Sequence, residues 1–373
     1  MFEPNIDFCL SLALTISVLI QLWYYLRIFN KLGEYKSPDN DRETWPSVSI
    51  VICAKNEELN LNLHLSGILE QNYFDFEVIV VNDDSSDNTS KVLLTFQNRY
   101  TNLKVVTVSS SENASGGKKE ALTIGIASAT HDVLLLTDAD CSPVGSNWIK
   151  NMVRNLSAEK DVVLGYSPFQ REDGILNLVQ RYDIFNTALQ YLSFALNGNP
   201  YMGVGRNLAY RKALFVENKG FSSHGHIVSG DDDLFISEVA TAENIVVEIG
   251  KDCTTFSKAP ENMVKWFLQK RRHYTTGGNY TFNQKLMLVS FHSSLVVFYI
   301  TTFWFLLLSE INTLLLVLIF LKYSAQYLVL KKCMFKLGEI DLLLFSPILE
   351  LFISVFNFSA ALSNIFYKRP QWN

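Results

Sequence analysis

The sequence predicts an α/β protein whose central, mostly parallel sheet is held between membrane-spanning helices at the two ends of the chain. Between residues 47 and 137, short β-branched runs alternate with helical stretches, which is typical of a doubly wound parallel sheet. Long uncharged runs flank this region on both sides, as membrane-spanning helices require. Only 18% of the 373 residues are charged, a low share for a soluble protein, and the two ends account for the shortfall.

The charge balance limits the classes of partner. There are 32 Lys and Arg residues against 37 Asp and Glu residues, so the formal net charge is −5. This mean acidity excludes a generally basic nucleic-acid binder, and no nucleic-acid partner is expected. The length suits one large or two modest domains with a substantial core.

The N-terminal uncharged run covers residues 8–26 and is long enough to cross a hydrocarbon core of about 30 Å. A cleavable signal peptide is disfavoured, because Glu3 and Asp7 precede the run and no Lys or Arg does. Arg27 and Lys31 follow it, so the positive-inside rule places the N-terminus outside and the following domain in the cytoplasm. We expect a multi-pass integral protein of the plasma or inner membrane.

The C-terminal part predicts two further spans that form a hairpin. Residues 286–309 and 311–330 are apolar on either side of Glu310. Lys322 lies within the second of these runs, where a charged side chain is costly unless it pairs or reaches the interface.

A third apolar stretch, residues 342–362, is interrupted by Pro347 and Glu350 and could either span the membrane or lie in its interface. The tail residues Lys368 and Arg369 prefer the cytoplasm, which counts slightly against a span. The expected organisation is an N-terminal transmembrane helix (1–27), a linker (28–46), a soluble α/β domain with a juxtamembrane region (47–285) and a C-terminal transmembrane region of two to three helices (286–373).

The alternation in the middle of the chain predicts individual elements. The expected strands are residues 47–53, 76–81, 103–108 and 132–137, and the expected helices are residues 58–70, 89–99 and 118–129. Ligands of such sheets bind beyond the carboxyl ends of the strands. The residues that directly follow each strand are therefore the first candidates for a site.

Acidic residues follow the second and fourth predicted strands. Asp83 comes after the second strand, and Asp138 and Asp140 come directly after the fourth. Each residue alone is typical of a turn or of a helix N-terminus. Asp138 and Asp140 repel each other, however, and a bound divalent cation would offset that cost, with hard oxygen ligands suited to Mg²⁺ or Mn²⁺.

A glycine pair precedes the third predicted helix. Gly116 and Gly117 stand directly before Lys118, and this pattern lets the backbone approach a phosphate while the Lys supplies charge. A plain glycine turn with a solvated basic face has the same pattern. The glycine spacing of a Walker loop and its Ser or Thr after the Lys are missing, which disfavours a kinase or an ATPase.

Together these motifs resemble glycosyltransferase family 2, the inverting, membrane-associated nucleotide-sugar transferases of the GT-A fold. The resemblance covers residues 48–274 and rests on the segments VSIVICAKNEE, VIVVNDDSSDNT, GGKKEALTIGIASA and TDAD. The chain departs from the family's usual residues at Cys53, Asn82, Asp84 and Thr123.

The resemblance implies roles for the residues of these segments. Those expected to contact the nucleotide are Ala54, Asn56, Glu57, Asp83, Lys118 and Asp138. Among them, Asp83 would contact the base. Asp140 would ligate the cation, Mg²⁺ or Mn²⁺.

A third acidic segment, Asp231 to Asp233, resembles the family motif that supplies the catalytic base. The base is Asp231 if Leu234 is the apolar residue three positions after it. It is Asp232 if Gly230 and the two residues after it align with the family's acidic pair. Helical spacing favours Asp231 slightly, and either assignment is compatible with acidic residues that simply begin a helix.

The segment before the C-terminal spans resembles the family's Gln-x-x-Arg-Trp motif. Gln269 and Arg272 match it, and His273 stands where Trp is usual. By resemblance these residues would hold the acceptor and the diphosphate. A basic juxtamembrane cluster that attracts anionic lipid has the same composition. Gly205-Arg206-Asn207 resembles a loop that lines the acceptor site, and the aromatic-rich residues 169–210 are expected to contribute to it.

The expected function is that of a metal-dependent inverting glycosyltransferase. It would move a sugar from a nucleotide-diphosphate sugar, most often UDP-linked in this family, to a membrane lipid or a cell-envelope polysaccharide. Two alternatives stay open. One is a membrane-anchored, metal-dependent phosphotransferase or nucleotidyltransferase, and the other is an inactive scaffold that binds nucleotide. The departures from the family motifs are what supports the inactive scaffold.

Overall fold

The computed structural model describes residues 6–38, 44–108, 117–308 and 312–366. Gly116, Glu310, Lys368, Arg369 and residues 39–43 of the predicted linker lie outside these ranges. The α-helices of the described residues are α1 (Ile6–Trp23), α2 (Asn30–Glu34), α3 (Glu58–Leu69), α4 (Thr89–Gln97), α5 (Lys118–Ser128), α6 (Trp148–Val153), α7 (Ile175–Leu196), α8 (Lys212–Glu217), α9 (Asp233–Val239), α10 (Met263–His273), α11 (Phe282–Leu307), α12 (Thr313–Leu337) and α13 (Ser346–Phe366). The strands are β1 (Val48–Ala54), β2 (Phe76–Asp83), β3 (Leu103–Val108), β4 (Val133–Leu136), β5 (Cys141–Pro143), β6 (Val162–Leu164), β7 (Leu208–Arg211), β8 (Ile245–Val247) and β9 (Thr255–Ser257).

The main sheet has the strand order β3-β2-β1-β4-β7-β6-β8. Strand β1 is parallel to both β2 and β4, and β2 is parallel to β3. Strand β7 runs antiparallel to its neighbours β4 and β6. The mostly parallel α/β sheet that the sequence predicts is therefore confirmed, and β1 to β4 begin and end within two residues of the predicted strands.

Helices cover both faces of the sheet, so its central strands are buried on both sides. Helix α5 packs directly on β1 and β2 through Gly125, where an added Cβ would meet side-chain atoms of Val51 and Val81 at 2.6 and 2.9 Å. Leu61 and Leu65 of α3 pack with Trp148 of α6 against the opposite face. This packing fixes the carboxyl ends of β1, β2 and β4 relative to one another.

Within the part of the chain that the structure describes, four helical stretches are long and apolar enough to cross a membrane: Asp7–Glu34, Phe282–Leu307, Thr313–Leu337 and Ile340–Phe366. The first is one continuous helix, since a π-helical segment joins α1 to α2, and it extends through residues 28–34 of the predicted linker. The last begins with a 3₁₀ segment that leads directly into α13.

Lys322, which the sequence analysis singles out as a charge within an apolar run, is paired with Glu350. The two side chains form a buried ion pair between α12 and α13. The hydroxyls of Tyr25 and Tyr299 donate to the same carboxylate at 2.8 and 2.7 Å. A polar cluster thus ties α11, α12 and α13 to the N-terminal helix, and Lys322 is satisfied where it lies.

Candidate active site

The carboxyl ends of β1, β2 and β4 meet at one edge of the sheet because these strands run parallel. The loops after β1 and β2 are fastened to each other there. Asn56, with a positive φ of 56°, accepts a hydrogen bond at Oδ1 from the backbone amide of Ser86 (2.8 Å). Its own backbone amide donates to Oγ of Ser85 (3.0 Å). The two loops therefore form one connected rim.

One cavity of about 540 Å³ extends from this edge toward the candidate spans. It is lined by nine of the residues that the sequence predicts for the site: Glu57, Lys118, Asp138, Asp140, Asp231, Asp232, Gln269, Arg272 and His273. Three other predicted residues lie outside its lining. Ala54 is buried in β1, Asn56 belongs to the rim, and Asp83 is buried 3.6 Å from Nζ of Lys55.

Lys118 joins two of the acidic motifs. It is the first residue of α5 and follows Gly117, whose φ of 142° favours glycine. Its Nζ lies 2.9 Å from Oδ1 of Asp138 and 3.0 Å from Oδ2 of Asp231. Burial lowers the pKa of Lys118, but the carboxylates of Asp138, Asp231 and Asp232 outweigh it and raise that pKa well above the usual value. Lys118 is therefore a permanent cation between the residues that follow β4 and those that precede α9.

Burial and mutual repulsion act on the carboxylates that follow β1 and β4. Burial and the charge of Asp138 together raise the pKa of Asp140. Burial, with the charges of Asp140 and Asp138, raises the pKa of Glu57 to about 6. A ligand that brings positive charge to Asp138 and Asp140 would relieve this repulsion.

These residues fit a divalent cation as part of its ligand set. Asp138 and Asp140 present carboxylate oxygens, the donor type that Mg²⁺ and Mn²⁺ prefer. Within the described residues, no group of three or more His, Cys, Asp and Glu side chains is arranged to hold a metal ion. The protein would thus supply one or two ligands, and oxygens of a bound diphosphate and of water would supply the rest.

The three consecutive aspartates occupy three different environments. Burial raises the pKa of Asp231, but Lys118 outweighs it and holds that pKa below the usual value. Asp233 is buried and accepts a hydrogen bond from the hydroxyl of Tyr280 (2.7 Å). Asp232 is half-buried, and its Oδ2 accepts from the backbone amide of Gly205 (2.8 Å). Burial and the charges of Asp231 and Asp233 raise the pKa of Asp232 to about 7.

Helix α10 places the Gln-x-x-Arg segment on the far wall of the cavity. Nζ of Lys270 forms a buried ion pair with Asp183 of α7 at 2.9 Å, which fixes this helix against the rest of the domain. Burial is the largest cause that lowers the pKa of the His273 imidazole well below the usual value. The positive charges of Arg272, Lys270 and Arg206 lower it further. His273 is therefore neutral at physiological pH, while Arg272 brings a positive charge to the cavity wall.

Several cavity residues escaped the sequence-based reasoning. Asp183 and Gln190 lie on α7, His292 lies on α11, and Asn357 lies on α13. The amide of Asn357 donates to Oδ1 of Asp183 (3.2 Å), and Nε2 of His292 lies 3.3 Å from Oε1 of Gln190. The signal in the sequence that could have indicated these cavity residues is that each is an isolated polar residue within an apolar run. The predicted stretch 169–210 does contribute to the cavity, through Asp183, Gln190 and their neighbours on α7.

Comparison with known proteins agrees with this geometry. Residues 49–218 match the family model described as "Glycosyl transferase family 2". The chain therefore contains a family 2 glycosyltransferase domain, and the family resemblance inferred from the motifs is confirmed.

Two curated relatives are described as a probable glycosyltransferase and a glycosyltransferase. A probable glycosyltransferase of Bacillus subtilis, YdaM, is 26% identical over 250 residues, which is 63% of this chain and 56% of the relative. The glycosyltransferase AglE of Haloferax volcanii is 29% identical over 196 residues, which is 51% of this chain and 60% of the relative. The chain thus matches somewhat more than half the length of these relatives.

A solved structure shares the fold across nearly the whole chain. The mannosyltransferase PcManGT of Pyrobaculum calidifontis, in complex with GDP-Man and Mn²⁺, superposes with a TM-score of 0.62 at 17% identity. The match covers 96% of this chain and 99% of the mannosyltransferase. It extends beyond the catalytic domain to the candidate spans, and it confirms the GT-A fold.

Proposed function

We propose that this chain is an inverting glycosyltransferase that moves a sugar from a nucleotide-diphosphate sugar to an acceptor at the membrane. The donor is UDP-linked by family resemblance, and the acceptor is a membrane lipid or a cell-envelope polysaccharide. One observation carries the proposal. The carboxylates of the sheet edge, the acidic triplet and the Gln-x-x-Arg helix line one cavity that continues to candidate membrane helices.

Asp232 is the catalytic base in this proposal. The charge of Asp231 is engaged by Lys118, and Asp233 is held by Tyr280. Asp232 lines the cavity, and its pKa of about 7 lies close to physiological pH, where a general base is most effective. These environments favour Asp232 over Asp231, whereas sequence spacing favours Asp231.

The reaction is a direct displacement. The Asp232 carboxylate takes the proton of an acceptor hydroxyl, and the hydroxyl oxygen forms a bond to the anomeric carbon of the donor sugar. The bond from that carbon to the diphosphate oxygen breaks on the opposite face, so the configuration inverts. The nucleoside diphosphate leaves with the bonding electrons, and the proton stays on Asp232 until it passes to solvent.

Two cations of the chain are proposed to act on the departing diphosphate. Lys118 and Arg272 both line the cavity and would stabilise the leaving group electrostatically. A divalent cation bound at Asp140, with Asp138 beside it, would add Lewis-acid stabilisation of the same oxygens. The mannosyltransferase of this fold was solved with Mn²⁺, which makes Mn²⁺ the first ion to test.

The acceptor reaches Asp232 from the membrane side in this proposal. The cavity continues past Leu288 and Val289 of α11 to His292, six to ten residues into a candidate span. An acceptor could therefore keep an apolar portion beside α11 while its hydroxyl enters the cavity.

The catalytic domain, residues 47–285, is proposed to lie in the cytoplasm. Lys332 of α12 contacts Asn30 and Glu34 at the end of the N-terminal helix, at 3.0 and 3.2 Å. Both helices therefore end on the same side as the domain, and Arg27 and Lys31 mark that side as cytoplasmic.

The test is release of nucleoside diphosphate by the purified full chain in detergent. A panel of UDP- and GDP-sugars is supplied with Mn²⁺ or Mg²⁺, with and without a host lipid extract. We expect lipid-stimulated release from one donor class, and loss of that release in Asp140→Ala. Release of inorganic phosphate or pyrophosphate would instead identify a phosphotransferase or nucleotidyltransferase. Nucleotide binding without turnover, with any donor and any extract, would contradict the proposal and favour an inactive scaffold.

A further inference from the structure

Helix α13 exposes a face of large apolar side chains and turns Glu350, Asn357 and Asn364 toward the protein. Eight large apolar residues on it are between 41 and 75% exposed: Ile348, Leu351, Phe352, Val355, Phe358, Leu362, Ile365 and Phe366. Their spacing of three or four residues places them on one face of the helix. We name this face the outer stripe of α13. An apolar stripe of this length exposed on a folded protein marks a contact with a partner or with lipid.

Three polar residues on the opposite face recur every seven residues, so they lie one above the other along the helix. Glu350 belongs to the buried cluster with Lys322. Asn357 donates to Asp183 of α7 (3.2 Å). Asn364 donates through Nδ2 to the carbonyl of Arg271 in α10 (2.8 Å). Two of these three contacts are to helices of the catalytic domain.

The catalytic domain therefore holds α13 near both of its ends. Before the helix begins, Asp341 accepts hydrogen bonds from Arg181 of α7 at 2.9 Å. Near its C-terminus, Asn364 contacts Arg271, and between these points the ring of Phe356 stacks on Trp266 of α10 with centroids 4.0 Å apart. The helix is 21 residues long, or about 30 Å, so a crossing would carry one of its ends to the far side of the membrane.

We propose that α13 lies in the plane of the membrane and does not cross it. Its outer stripe docks at the boundary of head groups and acyl chains, in the leaflet that faces the catalytic domain. The chain then crosses the membrane three times, through the N-terminal helix, α11 and α12. Its C-terminus lies on the side of the catalytic domain.

The outer stripe is covered by the lipid bilayer in this proposal, because α13 packs against helices of the same chain that are candidate membrane spans. Tyr299 of α11 and Lys322 of α12, both in candidate spans, contact Glu350 on the inner face of α13. The sequence after the helix agrees with three crossings. Lys368 and Arg369 then fall on the same side as Lys331 and Lys332, as the positive-inside rule requires.

The test measures depth in the bilayer along two helices of the full-length chain. Cysteines are introduced singly at Ile348, Val355 and Leu362, which are seven residues apart on the outer stripe. The background is Cys9→Ser, since Cys9 is exposed and the other four cysteines are wholly or partly buried. Each variant is labelled with a nitroxide and reconstituted into vesicles of phosphatidylethanolamine and phosphatidylglycerol. Power saturation with oxygen and a water-soluble nickel chelate then gives the depth of each label.

Helix α11 supplies the matched control, with cysteines at Val289, Val296 and Phe303, which are also exposed and seven residues apart. Along α11 the middle label is expected to be deeper than its neighbours by about 10 Å, since seven residues of helix rise about 10 Å. Along α13 the three labels are expected at equal depth within a few Å. A profile along α13 that peaks at Val355 as α11 peaks at Val296 would show a fourth crossing and overturn the proposal. Labels on α13 that the water-soluble nickel chelate reaches fully would overturn it too, because the stripe would then not be docked in lipid.

Discussion

At the sheet edge, the cavity is lined by charged side chains that follow β1 and β4 or begin α5. Toward the membrane, it is lined by single polar side chains set into the apolar helices α7, α11 and α13. In the first half, Lys118 lies between Asp138 and Asp231, and burial and neighbouring carboxylates raise the pKa values of Asp140 and Glu57. In the second half, the carboxylate of Asp183 is already paired with Lys270.

This difference separates two kinds of binding. Uncompensated carboxylates create a place for a cation and, through it, for a diphosphate. A region whose charges are already paired offers hydrogen bonds and apolar walls instead, which suits an acceptor with hydroxyl groups close to lipid. Asp232 stands at the junction, where burial and the charges of Asp231 and Asp233 raise its pKa.

The largest effect is expected from Asp140→Ala, which removes a carboxylate of the sheet-edge half. Transfer should fall by about a thousandfold, because cation-dependent stabilisation of the leaving group amounts to several kcal/mol. The measurement is nucleoside-diphosphate release at increasing Mn²⁺ concentration. Asp173→Asn, at an exposed aspartate outside the cavity lining, is the control and should leave release unchanged. Normal release from Asp140→Ala would contradict the assignment of the divalent cation to Asp140.

The membrane-side half should respond to Asp183→Asn with a loss of stability. This change leaves Lys270 buried without its charged partner, and breaking a buried pair costs about 3 kcal/mol or more. Asp161→Asn is a matched control, because Asp161 pairs with Arg211 at the same distance of 2.9 Å but at the surface. That change should cost less than about 1 kcal/mol. Thermal unfolding in detergent distinguishes the two variants, and equal shifts in Tm would contradict the buried pair.

The pH dependence of transfer should follow the titration of Asp232, which lies where the two halves of the cavity meet. The groups that face Asp232 are Asp231 and Asp233 on its own segment and Lys118 on α5. Because the base must be deprotonated, kcat/KM should be level above a pH of about 7 and fall about tenfold for each unit below it. Initial rates between pH 5.5 and 8.5 measure this, with stability monitored in parallel. A profile that stays level down to pH 5.5 would mean that Asp232 is not the base.

The sequence indicates which residues lie at the sheet edge because the signals for that half are local. A β-branched run fixes a strand, and the residues after it must then lie at the edge of the sheet. Asp138 and Asp140 were singled out in this way, Lys118 by the glycines that precede it, and Glu57 by the family resemblance, and all four line the cavity. The sequence could not decide between Asp231 and Asp232, since spacing along the chain does not reveal which carboxylate meets Lys118.

The membrane-side half could not be predicted because its contacts join residues that are far apart in the chain. Asp183 meets Asn357 across 174 positions, and Lys322 meets Glu350 only once α12 and α13 have packed. Strand β7 runs antiparallel to its neighbour β4. Its residues likewise carry no local signature that distinguishes an antiparallel strand from a parallel one. Whether residues 342–362 cross the membrane depends on the same long-range contacts.

The most direct test of the central claim compares Asp232→Asn with Asp231→Asn and Asp233→Asn in nucleoside-diphosphate release at saturating donor and acceptor. The account predicts that Asp232→Asn lowers kcat by about a hundredfold to ten-thousandfold while donor binding, measured calorimetrically, stays within about threefold of the unchanged protein. Any activity left in Asp231→Asn should still rise with pH, but at a lower pH than in the unchanged protein, because the charge of Asp231 contributes to the raised pKa of Asp232. The account is contradicted if Asp232→Asn retains its activity, or if that rise with pH survives in Asp232→Asn and disappears in Asp231→Asn.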